Sequence, residues 1–595
     1  MPLSSLLSLV SGGRVPSRHN AIIATVVAML VFLFRVLAEG RLPNDHYMHL
    51  VWAQRLLFGD IPGRDFVDPG MPLMYTLSAI VQHVWPGPFS ETLLTSAMIA
   101  VAASLTFLVA TALTGSRVVA LAATALEVAL WPRLYGYPKI LVPALTLFLL
   151  RRYVRRPSLP GIWLLGISTG LTFLLRHDLG LFAFIGTSAA LLTTGAGAHP
   201  RMRVWTSYAL RTALTLFPYL LFVQIVEGLA ENLREGYEFS KSDAHQLLLS
   251  PSALPWFERI LPFGDAEAAI VIYYVAAALC IVPLARLVYR ERRDDATVSV
   301  LVCTSVMLAC YWVVILRHPL TARIADAGAL IVISGGWMVV DLARGAVTAF
   351  TRRPWRTAIV TASVVCATVA VLFSAVTVGH LDERVEKSRI GDGLSKVEER
   401  VTALADAGTS WPWTWYWPSG DQPAVIEYLN ECTAPTDRVL MTWSAPEFFF
   451  FSGRSFGAGH ALFMPGSFAT PADREKMIER LDGERVPIAL INETERDAFA
   501  LSFPELDALL RDRYATVATF TIRDGSSIAI AVRDRLRATR TYGPDGWPCG
   551  FDDEARSSEP RSRLQRATRS LATWRPQAQA RLARSATLTF PQHQH

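Results

Sequence analysis

Four short clusters of ionisable residues stand at the ends of this chain's apolar runs. The first is Leu42-Pro-Asn-Asp45-His46-Tyr-Met-His, which leads into Phe58-Gly-Asp-Ile-Pro-Gly-Arg64-Asp65-Phe-Val-Asp68-Pro-Gly-Met-Pro. A carboxylate directly outside an apolar helix is costly to desolvate, so Asp45 is a candidate for chemistry by default. The second cluster, Trp131-Pro-Arg-Leu-Tyr-Gly-Tyr-Pro-Lys139, holds cations but no acid. The third is Leu174-Leu-Arg176-His177-Asp178-Leu-Gly180, and the fourth Arg317-His318-Pro-Leu-Thr-Ala-Arg323-Ile-Ala-Asp326. A carboxylate that takes a proton from a hydroxyl as base, beside cations that hold a phosphate, is the chemistry these types offer together.

Each cluster also has a plainer reading. Asp45 could cap a helix beginning at His46. Asp65 and Asp68 could close turns before Pro69, and Arg64 could pair with Asp60 or Asp68. Lys139 heads an apolar run and could reach back to a membrane surface. Arg176 and Asp178 could form a salt-bridged tight turn, where the functional reading has Asp178 orient His177 or supply a second acid. His318 could be an interfacial histidine.

The elements that would position these groups are apolar. The 595 residues are 51% hydrophobic and only 18% charged, against about 25% charged in soluble domains. Twelve apolar runs are read at 21–38, 70–86, 91–113, 117–131, 138–150, 160–175, 179–195, 207–228, 267–289, 297–316, 324–343 and 357–378. A bilayer core of about 30 Å takes about 20 such residues per helix. The fourth and fifth runs are short for that. Arginine-rich connectors at 14–18, 151–156, 201–203, 286–293 and 344–356 suit the cytoplasmic side. The four clusters fall on the other set of loops. Twelve full crossings would return the C-terminal part to the cytoplasm while the later loops place it outside, so one short run among 70–150 is expected not to cross.

The first cluster resembles the GT-C superfamily of polyprenyl-phosphate-sugar-dependent glycosyltransferases, in particular its protein-mannosyltransferase-like and lipid A aminoarabinose-transferase-like branch. That branch has an acid shortly after the first helix and a G-D-x-P-Y-R-D-F run entering the second. The sequence departs from it at Gly63, where an aromatic is common, and at Gly70-Met71. The resemblance implies a polytopic α-helical membrane protein of about 11–13 spans with a C-terminal extracytoplasmic α/β domain. It implies transfer of one sugar, with inversion, from a polyprenyl-phosphate donor to an envelope glycan, lipid or protein acceptor at the bacterial inner membrane. Asp45 would be the catalytic carboxylate that activates the acceptor, with Asp65 and Asp178 as further catalytic carboxylates. His46, Arg64, Asp68, Lys139, Arg176, His177, Arg317, His318 and Arg323 would bind donor or acceptor. The missing acid between Trp131 and Lys139 puts a two-carboxylate mechanism in question. No organic cofactor is implied, a divalent metal is left open, and membrane lipid is the surrounding partner.

The domain reading is a cytoplasmic 1–20, a membrane domain 21–378 with its first outer loop at 39–70, and an amphipathic and aromatic linker 379–420. A soluble α/β domain follows at 421–536, and a basic tail at 537–595 carries eight arginines from Arg556 onward. Cys432 and Cys549 could form a disulfide if their region is extracytoplasmic. Dispersed loop arginines disfavour nucleic acid. No phosphate-binding loop, dinucleotide fingerprint or nucleophile elbow occurs. The competing readings are a lipid or polymer transporter and a membrane assembly protein whose site has decayed.

Overall fold

The computed structural model describes residues 17–39, 42, 44–194, 200–238, 265–289, 294–317, 321–350, 354–409, 422–522, 525–534 and 536–553. The chain divides into two compact units, one of residues 1–49 and 68–417 and the other of residues 50–67 and 418–595.

In the first unit each apolar run forms a helix. These are α1 (Ser17–Ala38), then α3 (Pro72–Val84), α4 (Pro88–Thr114), α5 (Arg117–Ala129), α6 (Tyr137–Arg155), α7 (Leu159–Leu175), α8 (His177–Thr194) and α9 (Arg201–Val226). A helical stretch at 229–238 precedes α10 (Asp265–Tyr289), α11 (Asp295–Arg317), α12 (Gly328–Phe350) and α13 (Pro354–Val378). Between α1 and α3 lies α2 (Asn44–Leu57), which starts in the first unit and continues into the second. Local sequence sets the ends. Proline occupies the first turn of α3, α4, α6 and α7, where its missing N–H costs nothing. Ser116 and Ser158 accept N–H groups at the starts of α5 and α7, satisfying donors the helix cannot.

Among the described residues five helices are long and apolar enough to cross a membrane: Arg18–Ala38, Pro88–Thr114, Arg201–Val226, Asp295–Ile315 and Arg323–Gly345. Apolar side chains face outward on α1 (Ile22, Met29, Leu30) and α9 (Leu210, Leu214, Phe217, Ile225), as lipid-facing helices require. The run read as 138–150 extends to 137–155, whereas α3 and α5 have 13 residues each. At 1.5 Å per residue those two are about 20 Å long, short of the hydrocarbon core. After α13 the expected amphipathic helix is two, α14 (Leu381–Ser388) and α15 (Leu394–Thr409), broken at Gly393 with φ +99°. The aromatic stretch 411–417 lies outside the described residues.

The second unit is an α/β sandwich. Its sheet runs in the order β2 (Ser455–Phe456), β1 (Arg438–Met441), β3 (Ile488–Asn492), β5 (Ser527–Arg533), β4 (Tyr514–Thr521). The first three strands are parallel and the last two antiparallel. Helices α16 (Gln422–Cys432), α17 (Pro446–Ser452), α18 (Pro471–Gly483), α19 (Arg496–Ser502) and α20 (Pro504–Arg513) connect them. Every residue of β3 is buried, the pattern of a strand covered on both faces.

Two boundaries differ from the sequence expectation. Residues 50–67, assigned to the outer loop of the membrane domain, belong to this unit. Arg55 explains why. Its fully buried guanidinium donates to Ser455 Oγ (2.8 Å) and the Phe456 carbonyl (3.2 Å) and pairs with Asp60 (3.2 Å). Arg438 bonds the same Asp60 at 2.9 Å. Further on, the tail read from 537 does not begin there. β6 (Leu536–Tyr542) and β7 (Trp547–Asp553) form a hairpin turned at Gly543 and Gly546. An exposed β6 has no alternating apolar face to announce it. The hairpin is held instead by the Cys432–Cys549 disulfide, by Tyr428 Oη on the Pro548 carbonyl (2.6 Å) and by the Tyr428–Trp547 ring contact.

Candidate active site

Four places in the first unit deliver the candidate residues: the start of α2, the turn between α5 and α6, the break between α7 and α8, and a 3-10 turn at Thr321–Ala327 before α12. The α7–α8 break is one extended residue, Arg176 (φ −167°, ψ 120°). The helices close on each other there. A Cβ on Gly180 would lie 2.4 Å from Phe173 Cα, so only glycine fits.

Asp45 is not capping its own helix through a backbone N–H. Its Oδ2 accepts from Tyr135 Oη (2.7 Å) and Arg133 Nη1 (3.2 Å), and Arg133 also bonds the Tyr135 hydroxyl. The carboxylate stays 62% exposed. Lys139 Nζ pairs with Asp326 Oδ2 at 2.5 Å. Arg176 forks onto Asp178, Nε to Oδ1 at 2.8 Å and Nη2 to Oδ2 at 2.9 Å. These pairs share one field. Asp326 interacts electrostatically with Arg133, Lys139 and Arg176, Lys139 with Asp178, and Arg323 with Lys139. His49, on α2 and buried, joins them. Burial, then His46, Arg176 and Lys139, hold its imidazole well below its ordinary value, so it is neutral. Its ring lies 5.8 Å from that of Tyr135. The described cluster thus contains four cations (Arg133, Lys139, Arg176, Arg323) and three carboxylates (Asp45, Asp178, Asp326), a surplus of one positive charge that suits an anion.

The other candidates take other partners, though the His46 ring lies 6.2 Å from that of Tyr135 and 6.4 Å from that of His49. His46 is fully buried, its Nε2 3.1 Å from Glu91 Oε1, which also accepts from Ser78 Oγ (2.9 Å). Asp68 is 3% exposed and accepts from the Gly70 N–H (2.9 Å) and Tyr219 Oη (3.0 Å), so it closes the turn before Pro72. His177 donates its backbone N–H to the Gly70 carbonyl (3.1 Å) and sets its ring against Tyr219. Arg64 and Asp65 lie in the second unit and pair with each other. Burial raises Asp65, but the bonds from Arg64 and the Ile61 N–H outweigh it and leave the carboxyl below its usual value. The side chain of Arg317 and all of His318 lie outside the described residues.

Sequence reasoning missed Asp326, Tyr135 and His49 as site residues. Asp326 stands at the end of the fourth cluster and Tyr135 inside the second, so both were in view. Their pairings span 187 and 90 residues, and no local spacing carries that signal. Asp326 brings a carboxylate to Lys139 at the end of the Trp131–Lys139 turn, which has no acid of its own. Among the described residues no group of three or more His, Cys, Asp or Glu side chains is arranged to hold a metal ion.

Fold and site together define a multi-pass helical membrane protein carrying a C-terminal α/β domain, with a cluster of paired acids and bases at helix ends. No protein-family model and no curated protein matches the sequence. Among solved structures, that of ArnT from Cupriavidus metallidurans bound to undecaprenyl phosphate is similar at 10% identity and TM-score 0.44, covering 87% of this chain and 98% of the other. The apo structure of the same protein is similar at 11% identity and TM-score 0.41, covering 86% and 97%. At these TM-scores the matches assign neither a residue nor an activity.

Proposed function

We propose that this protein is a membrane glycosyltransferase that moves one sugar from a polyprenyl-phosphate donor to a hydroxyl of an extracytoplasmic acceptor, with inversion. The observation that carries the reading is the exposed Asp45 carboxylate, oriented by Tyr135 and Arg133 beside a cluster with surplus positive charge. Asp45 takes the acceptor hydroxyl proton as the acceptor oxygen bonds the anomeric carbon. The bond from that carbon to the phosphate oxygen breaks, and the polyprenyl phosphate departs with the electron pair. Lys139, Arg176 and Arg323 stabilise the charge that develops on it, as fixed cations aimed at a leaving group do. For that, Lys139 and Arg176 must share their protons between Asp326 or Asp178 and the phosphate.

The Cys432–Cys549 disulfide supports an oxidising compartment for the α/β domain, hence the outer face of a bacterial cytoplasmic membrane. The test is turnover of radiolabelled polyprenyl-phosphate sugar by purified protein with a cell-envelope extract as acceptor. D45N is expected to lower kcat by roughly 10²–10⁴-fold at unchanged thermal stability. Full activity in D45N sinks the mechanism.

A further inference from the structure

Between the third and fourth clusters in sequence, α9 carries one charged residue between Arg203 and Glu227, namely Arg211. The helix packs against α7 through two glycines. A Cβ on Gly166 would meet Arg211 Cβ at 2.6 Å, and one on Gly170 would meet Thr215 Cβ at 2.7 Å. Because 166 faces 211 and 170 faces 215, the two helices run parallel. Their first residues therefore lie at one end of the bundle, where Arg151, Arg152, Arg155, Arg156, Arg201 and Arg203 also fall. Arg211 stands ten residues past Arg201, about 15 Å along the axis, on a helix whose exposed side chains beyond it are mainly apolar, among them Leu214, Phe217 and Leu221.

Its guanidinium bends back toward the basic end. Nη1 donates to the Ser207 carbonyl (2.7 Å) and Ser207 Oγ (2.5 Å). The group lies over the Trp163 ring at 4.8 Å, and Trp163 is 38% exposed. Among the described residues no carboxylate pairs with Arg211, and its buried Nε finds no acceptor. A charge set this deep is costly unless it meets an anion. Basic pockets between membrane helices, flanked by an interfacial tryptophan, suit phospholipid headgroups.

We propose that Arg211 and Trp163, in the seam between α7 and α9, hold the phosphate of an anionic phospholipid headgroup from the leaflet at the arginine-rich end. This site is separate from the transfer chemistry and stands whether or not that reading holds. The test is native mass spectrometry of the full chain in detergent, titrated with phosphatidylglycerol, phosphatidylcholine or inorganic phosphate. Phosphatidylglycerol should be retained in preference to phosphatidylcholine, and R211Q should weaken it by roughly tenfold or more. R156Q, which removes a charge from the same end, should leave it unchanged. R211K and W163A should each weaken it several-fold, which keeps the test open should R211Q not fold. The site is overturned if R211Q, or both R211K and W163A, bind as the wild type does. It is also overturned if R156Q loses as much, or if millimolar phosphate alone displaces the lipid, since plain charge attraction or a free-phosphate site would then suffice.

Discussion

Within the cluster the carboxylates divide by exposure. Asp45 is 62% exposed, whereas Asp326 is 10% exposed and bonded to Lys139. A buried cation that loses its partner is left uncompensated, at a cost of about 3–5 kcal/mol. D326N is therefore expected to lower thermal stability well beyond D45N, while K139M/D326L, which removes both charges, should recover most of the loss. Thermal unfolding of the three variants in detergent checks this, and a D326N as stable as D45N would show that the pair bears no such strain. The acid at 45 and the cations at 139 and 176 were legible in the sequence because each interrupts an apolar run. Tyr135 and Asp326 were not, since a hydroxyl and a carboxylate acquire their roles only from partners brought near by other helices. His46 shows the converse. Adjacent to Asp45 in sequence, it turns into the helical interior toward Glu91, because neighbours on a helix point about 100° apart.

Elements whose burial follows a simple period were read well. All twelve apolar runs are helices, and the region read as an α/β domain does carry a mixed sheet between helices. What pattern could not show was contact at close range. Gly166 and Gly170 lie within a run with no charged residue, yet they set how near α9 approaches. Gly170→Val would drive methyl groups into Thr215 Cβ and Cγ2, both 2.7 Å from the added Cβ. Overpacking of this kind costs about 1–3 kcal/mol. The expected result is a lower unfolding midpoint and weaker phosphatidylglycerol retention together, because the seam that holds Arg211 opens. In the second unit, burial and then Arg480 press His460 down to about 3, with only Asp473 opposing among the nearer groups. Its unfolded value is 6.5, so the unfolded chain gains a proton first as pH falls. Stability from this group is complete above 6.5 and is lost on the way down toward 3. At 1.36 kcal/mol per unit, about 2 kcal/mol is gone by pH 5. Unfolding of the full chain at pH 7.5 and pH 5 should show that loss, and H460N should be flatter across the interval.

At the scale of the whole chain, covalent chemistry speaks to the side of the membrane on which the second unit folds. Cys432 and Cys549 are joined across 117 residues, while Cys280, Cys303, Cys310 and Cys366 remain thiols. A bridge closing a loop of that size is worth about 2–5 kcal/mol, and its formation needs an oxidising compartment. Parity of crossings could not settle the side, because α3 and α5 are each too short to count as spans. The thiols offer a separate route. Cells quenched in acid and denatured before exposure to a polymer-tagged maleimide should show four additions to this chain, rising to six only after reduction. C432S should show five with or without reductant, since Cys549 is then left unpaired, and its second unit should be digested at lower protease concentrations than that of the wild type. Six additions without reductant would place the α/β domain in a reducing compartment. An acceptor outside the cytoplasm would then be out of reach of any chemistry that depends on this domain, and the proposed direction of transfer would fail along with it.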